Sequence, residues 1–359
     1  MTYSIPHTKP FFDSMEANAL LATINTRLVN EGTLANTLVS SIAEMVHGIG
    51  GVPVSTGTLG IHLALKTLGI ATTDHEVIIP DFACRSLYDS VRMAGATPVF
   101  CDINFEDYSL SIDSVCSQLR QDTRAIILPH MYGCPANMDS FLELGVPIIE
   151  DCAHSLGATY NGTPVGSFSS LSVFSFEGSK LIAAGEGGVV LAKNRALLDK
   201  LMALRYGLDG NFAYQYRLND LTAAVALAQI DKLASMIEKR RHIANMYYKE
   251  LKHLEQRGML SLPDRFENRE SVYYRFVILC NGKSSSLINF ANQKGVLIRN
   301  PLTSGLLSQN YKGCGADNCN AMSLADKGAS LPVYPDLSDS EVEIVVDTIH
   351  EFFKAERKQ

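Results

Sequence analysis

Short apolar, β-prone runs alternate with helical patterns through the first half of this chain, and that alternation restricts the fold more than any other feature. The runs EVIIP at 76–80, TPVF at 97–100, AIIL at 125–128 and VPIIED at 146–151 leave no regular polar face. Continuous apolar runs of this kind suit parallel strands buried on both sides. Residues 84–94, about 111–121 and 138–144 lie between them and carry helical patterning. Parallel strands need long crossovers, and within one sheet these are right-handed. The chain is therefore expected to be α/β, with a large domain built on a mostly parallel, doubly wound sheet.

Upstream, residues 33–46 read as a helix with Leu34, Leu38, Ile42 and Val46 four apart. An extended piece at 51–56 leads through Gly57-Thr58-Leu59-Gly60 into a helix at 61–68. From about Arg195 the character changes. Helices are expected at 196–205, 221–233 and 236–254, with an irregular, aromatic-rich connection at 206–217. Strands follow at 272–279 and 296–298, and a closing helix at 340–353. This divides the chain into a large domain, 1–245, and a smaller C-terminal α+β domain, 246–359.

The stretch LSVFSFEGSKLIAAGEGGVV, residues 171–190, sets a glycine-punctuated loop between two apolar runs, and Lys180 sits in that loop. A desolvated lysine can lose its proton and act as the amine of a Schiff base. A surface lysine on a hairpin is the plainer reading. Upstream, the run at 146–151 ends in Glu150 and Asp151, at the strand end where ligands sit in open α/β sheets. A pyridoxal phosphate site needs such a lysine for the aldehyde and a carboxylate for the ring nitrogen. Asp151 and Lys180 offer that pair, while Glu150 points to the opposite face. Asp151 could equally cap the helix that follows. Thr56-Gly57-Thr58-Leu59 joins a strand to a helix start, where free N–H groups and a missing side chain admit a phosphate. A simple helix cap is the alternative. The segment matches neither G-x-G-x-x-G nor a P-loop, which disfavours nicotinamide dinucleotides and ATP.

Over 359 residues, 46% are hydrophobic and 19% charged, so a large core can be buried. The net charge of -7 and the lack of a basic block argue against nucleic acid as partner. Apolar runs are too short to span a membrane, and the first residues lack a signal peptide's pattern, so a cytoplasmic protein is expected. The eight cysteines agree, being mostly scattered through apolar segments as reduced thiols would be. Only Cys314 and Cys319 sit close together; without a second ligand pair they suggest a mobile loop rather than a metal site.

Several stretches together resemble the DegT/DnrJ/StrS family of sugar aminotransferases, within the aspartate-aminotransferase-type fold. They are STGTLGIHLALKTLGI, EVIIPDF, AGATPVFCDIN, MYGCPANMD, the block from IIEDCAH through FSFEGSK to GEGGVV, and YRLNDLTAAVALAQIDKL. The resemblance implies a pyridoxal 5'-phosphate enzyme in which Lys180 forms the Schiff base and shuttles a proton. It pairs Asp151 with the pyridinium nitrogen and places His154 beside the ring hydroxyl. It assigns the phosphate to Gly57, Thr58, the adjoining Leu59 and Ser175. Gln215 would reach a neighbouring subunit's phosphate, implying a homodimer with composite sites. Two departures stand out. Cys84 occupies the position of the usual ring-stacking aromatic, leaving Phe82 or His154 to stack, and Gln215 replaces the commoner Asn.

The implied reaction moves an amino group from glutamate or glutamine to a keto or aldehyde sugar, nucleotide-linked or a related sugar acid. Arg85 and Arg217 are candidates for a substrate carboxylate or phosphate, or for ordinary ion pairs. A lyase or desulfurase using Cys84 or Cys152, or a non-catalytic regulatory member, are the competing readings.

Overall fold

The computed structural model describes residues 4–210, 212–315 and 318–356. Among these, the main sheet has eight strands. Their spatial order is Gly51–Val54, Gly188–Ala192, Leu171–Ser175, Ile148–Asp151, Thr123–Pro129, Glu76–Pro80, Thr97–Cys101 and Cys314–Gly315. Gly188–Ala192 runs antiparallel to both neighbours. The remaining pairs are parallel, as the apolar runs require.

Alternation along these strands feeds two cores at once. Val77, Ile79, Ile127 and Ile149 pack on one face with the helices Gly57–Thr67 and Arg85–Met93. Ile78, Ile126, Leu128 and Ile148 pack on the other with Val115, Met138 and Phe141. Each such side chain, fully buried, contributes about 1.5–3 kcal/mol. Gly60 sets the spacing on the first face. A Cβ there would lie 2.9 Å from Val173 Cγ1 and 3.2 Å from Val54 Cγ2, so only glycine lets the helix sit this close to the sheet.

The expected helices at 221–233 and 236–254 are one. Asp220–Gln256 runs unbroken for 37 residues, about 55 Å at the usual rise. Ala234 and Ser235 carry no helix-breaking chemistry, and the buried face continues through Leu233, Met236, Ile237 and Arg240. Asn219 caps its start by accepting the Thr222 N–H at 2.9 Å. Asp220 accepts N–H groups of Gly32, Leu34 and Ala35, and so also caps the helix Thr33–Met45. Beyond its middle, the helix enters a separate core with Tyr247, Leu251, Phe276, Ile278, Leu331, Val342 and Ile349.

In that C-terminal part the expected strand at 272–279 shrinks to Phe276–Cys280. The preceding backbone bonds elsewhere: Val272 N–H donates to the Gly133 carbonyl at 3.1 Å and Arg275 N–H to the Tyr132 carbonyl at 3.3 Å. The expected strand at 296–298 is a single bridge from Val296 to Ile5. The Cys314 region is not simply a loop, since Cys314–Gly315 adds an edge strand beside Thr97–Cys101. Cys314 and Cys319 are both exposed and free. Helices Ser14–Thr26, Ser284–Gln293 and Cys319–Lys327 and the strand Gly328–Leu331 have no counterpart in the sequence reading. Among the described residues no helix is long and apolar enough to cross a membrane.

Candidate active site

The C-terminal ends of Glu76–Pro80, Thr123–Pro129 and Ile148–Asp151 converge with the loop after Leu171–Ser175 around a two-part cavity. One part, about 330 Å³, is walled by Phe82, Tyr132, His154, Tyr274 and Arg275 among others. The other, about 320 Å³, is walled by Thr56, Gly57, Thr58 and Ser175. Cys84, Asp151, Ala153, Glu177 and Lys180 belong to both, so the parts are continuous. Their size is that of a small-molecule site.

Lys180 is held by a closed loop. Its N–H donates to the Glu177 carbonyl at 2.8 Å, Gly178 N–H to the Gly185 carbonyl at 3.1 Å, and Ala184 N–H to the Phe176 carbonyl at 2.9 Å. Leu181, Ile182 and Ala183 are buried and pin the far side. The side chain of Lys180 is thereby left facing the cavity, with its Nζ 5.4 Å from the Tyr274 ring centroid.

Asp151 is 9% exposed, and one carboxylate oxygen, Oδ1, accepts the Ala153 N–H at 3.0 Å. Among the described residues no protein donor reaches Oδ2. Burial raises this carboxyl above its ordinary value, against the Ala153 N–H and the charge of Lys180. A buried acid with an unbonded oxygen on a cavity wall suits a ligand that brings a positively charged N–H.

Glu150, on the opposite face, anchors this strand. Its Oε1 accepts from His130 Nε2 at 3.1 Å and Gly166 N–H at 2.6 Å; Oε2 accepts from Phe168 N–H, Ser169 N–H and Ser169 Oγ at 3.0, 2.9 and 2.8 Å. His130 Nδ1 accepts the Ala136 N–H at 3.0 Å, which fixes the proton on Nε2. Cys152 approaches this pair, but the His and Glu atoms are already committed to hydrogen bonds, so the trio is structural and not a metal site. Cys152 is buried and lines neither part of the cavity, and burial, with Glu150 and Asp151, pushes its thiol well above its ordinary pKa.

At the opposite end, Thr56 Oγ1 caps the helix Gly57–Thr67 by accepting the Leu59 N–H at 3.2 Å. The N–H of Leu59 is therefore spent within the protein, and Leu59 does not line the cavity. Gly57 and Thr58 precede it, at helix positions whose N–H groups have no helical acceptor. A Cβ on Gly57 would meet Ser175 Cβ at 2.9 Å and Oγ at 3.1 Å, so the bare backbone and the serine hydroxyl lie side by side. This is an anion cradle of the kind a phosphate fills.

His154 is stacked on Tyr274, with centroids 4.2 Å apart, and is near-parallel to Tyr132 at 6.2 Å. Burial, Lys180 and Arg275 keep its imidazole well below the usual histidine pKa, hence neutral. Tyr274 covers one face of this imidazole, and Phe82 and Cys84 line the same part of the cavity. Gln215, Arg217 and Arg85 do not line this cavity. Gln215 Oε1 accepts from Arg217 Nε at 2.8 Å on the exposed connection, and Arg85 pairs with Asp89 one helical turn away.

Tyr132, Glu177, Tyr274 and Arg275 escaped the sequence reading as site residues. Arg275 Nη2 donates to the Tyr274 hydroxyl at 3.3 Å; that hydroxyl is 3.1 Å from Ser179 Oγ, which donates to Glu177 Oε2 at 2.5 Å. Burial works to raise the Tyr274 phenol, but Lys180, Arg275 and the Ser179 contact outweigh it and bring it below its ordinary value. Glu177 lay within a motif already singled out, whereas 272–275 reaches the cavity only because it leaves the sheet.

A lysine loop, a buried aspartate at a parallel strand's end and an anion cradle at a helix start define a pyridoxal phosphate enzyme of the aminotransferase fold. The DegT/DnrJ/EryC1/StrS aminotransferase family matches residues 11–350, and the chain belongs to it. GDP-perosamine synthase of Escherichia coli O157:H7 is 31% identical over 347 residues, covering 92% of this chain and 93% of that protein. UDP-N-acetyl-3-dehydro-alpha-D-glucosamine 3-aminotransferase of Acidithiobacillus ferrooxidans is 32% identical over 336 residues, covering 90% and 88%. A solved GDP-4-keto-6-deoxymannose-3-dehydratase with a trapped PLP-glutamate geminal diamine superposes with a TM-score of 0.87 at 20% identity, covering 96% and 100%. The protein is a pyridoxal phosphate-dependent aminotransferase. This removes the desulfurase, lyase and regulatory readings.

Proposed function

We propose that this enzyme transfers the amino group of glutamate, or glutamine, to the carbonyl of a nucleotide-linked keto sugar, with Lys180 and Asp151 at opposite ends of the cofactor ring. The observation that carries this is the shared cavity: the amine and the half-satisfied buried carboxylate both face it, with the anion cradle at one end. Pyridoxal phosphate supplies an aldehyde to hold nitrogen and a ring that accepts electrons from the adjoining carbon. Lys180 holds the cofactor and then moves the proton between substrate carbon and cofactor carbon. Asp151 gives its free oxygen to the ring N–H and keeps that nitrogen charged. Gly57 and Thr58 N–H groups and the Ser175 hydroxyl hold the phosphate. Neutral His154 would serve the ring hydroxyl, and Phe82 and Cys84 would contribute apolar wall to the ring.

The nucleotide-linked acceptor rests on the names of the two relatives, one GDP-linked and one UDP-linked. Gln215 on its exposed connection suits a homodimer in which it serves the partner's phosphate, and the junction between 1–245 and 246–359 falls within the long helix. The test is a two-stage spectroscopic assay. Glutamate should discharge the colour of the bound cofactor, and GDP- or UDP-linked keto sugars, supplied in turn, should restore it. Lys180→Ala should show neither change. Full turnover in Lys180→Ala would overturn the assignment.

A further inference from the structure

At the cavity end remote from Gly57 and Ser175, Asp151 and Glu177 line the wall, but among the described residues neither forms an ion pair with the arginine there. Arg275 lines that end, with its guanidinium 4.6 Å from the Tyr274 ring centroid. Its hydrogen bonds go to neutral atoms: Nη1 lies 3.3 Å from His7 Nδ1 and Nη2 donates to the Tyr274 hydroxyl. Burial, Arg275 and Arg299 lower the pKa of His7 to about 2, so the imidazole is uncharged and Nδ1 accepts. Arg240 adds a buried charge nearby; its side chain donates to the carbonyls of Tyr274 and Val333, and burial and Arg275 lower its pKa to about 10. Among the described residues neither Arg240, Arg275 nor Arg299 forms an ion pair. Lys180 adds one more positive group beside the same tyrosine. A guanidinium on a cavity wall, bonded only to neutral atoms and free of an ion pair among the described residues, is the setting for an anionic ligand.

Distance narrows the choice of anion. Lys180 Nζ and Arg275 Cζ both approach the Tyr274 ring, at 5.4 and 4.6 Å from its centroid, which caps their separation at about 10 Å. A short amino acid bridges such a gap, its nitrogen replacing the lysine and a carboxylate lying on the guanidinium. We propose that Arg275 is the receptor for a carboxylate of the amino donor, forming a second anion subsite opposite the phosphate cradle. The inference rests on Lys180 being the amine at which the donor exchanges. It gives Arg275, not Arg85 or Arg217, the task of selecting a carboxylate-bearing donor.

The experiment compares wild type, Arg275→Gln and Arg275→Lys holoenzymes in the glutamate stage alone, and pairs it with calorimetric titration of glutarate and its uncharged analogue glutaramide. In Arg275→Gln the glutamate concentration for half-maximal rate should rise roughly 10- to 100-fold, with a smaller fall in limiting rate. Glutarate affinity should fall in parallel, and glutaramide should not distinguish the variants. Arg275→Lys should recover part of the loss, since it restores charge without the planar fork. Unchanged glutamate and glutarate affinities in Arg275→Gln, with the loss confined to the sugar stage, would overturn the subsite and reassign the arginine to the acceptor. A wild type that binds glutarate through Arg275 but is not discharged by glutamate would instead defeat the donor assignment and leave the subsite standing.

Discussion

Replacing Glu150 by Gln tests whether the strand that presents Asp151 is held by charge or merely by packing. Both carboxylate oxygens face donors only: His130 Nε2 and Gly166 N–H at Oε1, and Phe168 N–H, Ser169 N–H and Ser169 Oγ at Oε2. A glutamine must turn its NH₂ toward one set. The milder orientation loses two hydrogen bonds to a charged acceptor, at about 1.5–3 kcal/mol each, for roughly 3–6 kcal/mol. His130 cannot relieve this by changing tautomer, because Nδ1 is engaged by the Ala136 N–H. For a chain of this size the loss should lower Tm by about 5 °C or more, read by circular dichroism. Burial works to raise the Glu150 carboxyl, but His130 and the N–H groups of Gly166 and Ser169 bring it below its ordinary 4.5. A depressed folded-state pKa contributes stability that is present above the unfolded value and lost as pH falls through the folded one. The gap between wild type and Glu150→Gln should therefore be full near neutrality and narrow below about pH 4.5. A variant within 1 °C of wild type at neutral pH, or a gap that widens in acid, would refute the reasoning.

Asp151→Asn should weaken cofactor binding roughly 10- to 100-fold, measured by absorbance titration, because a neutral amide replaces the acceptor of a charged N–H. Cofactor affinity equal to wild type would remove Asp151 from the ring. Gly60→Ala should destabilise by about 1–2 kcal/mol in denaturant titration, since crowding against Val173, Val54 and Val190 exceeds the gain in helix propensity; a stabilised variant would contradict the close helix–sheet contact. Cys152→Ala should keep kcat within a few-fold while costing about 1 kcal/mol of stability. Collapse of kcat in a folded Cys152→Ala protein would restore a chemical role to the thiol.

The parallel sheet was legible because both of its faces are buried, so strands such as Glu76–Pro80 read as continuous apolar runs. Lys180, Asp151, Gly57 and Ser175 were legible because their motifs are local, and the structure places all four on one cavity. Tyr274 and Arg275 were not. Their β-prone run, VYYRFVIL, predicts a strand from 272, and nothing local reveals that Tyr132 and Gly133 capture the backbone of its first half. The helix Ser14–Thr26 was missed for another reason. Its exposed Leu21 and Ile24 blur the apolar stripe, although the Asp13–Glu16 capping box was present to mark its start. The sequence reading ends one helix at 233 and starts another at 236, yet Ala234 and Ser235 carry the helix straight through.

An unbroken rod of 37 residues that threads both cores makes a poor hinge. It ties the Arg240 and Tyr274 side of the chamber to the sheet side, whereas the wall at Leu302, Thr303 and Ser304 is one the helix does not carry. That wall is tethered a few residues on, where buried Asp81 grips Ser308 and Asn318. Asp81 thereby fastens that segment to the main sheet, one residue past the strand Glu76–Pro80.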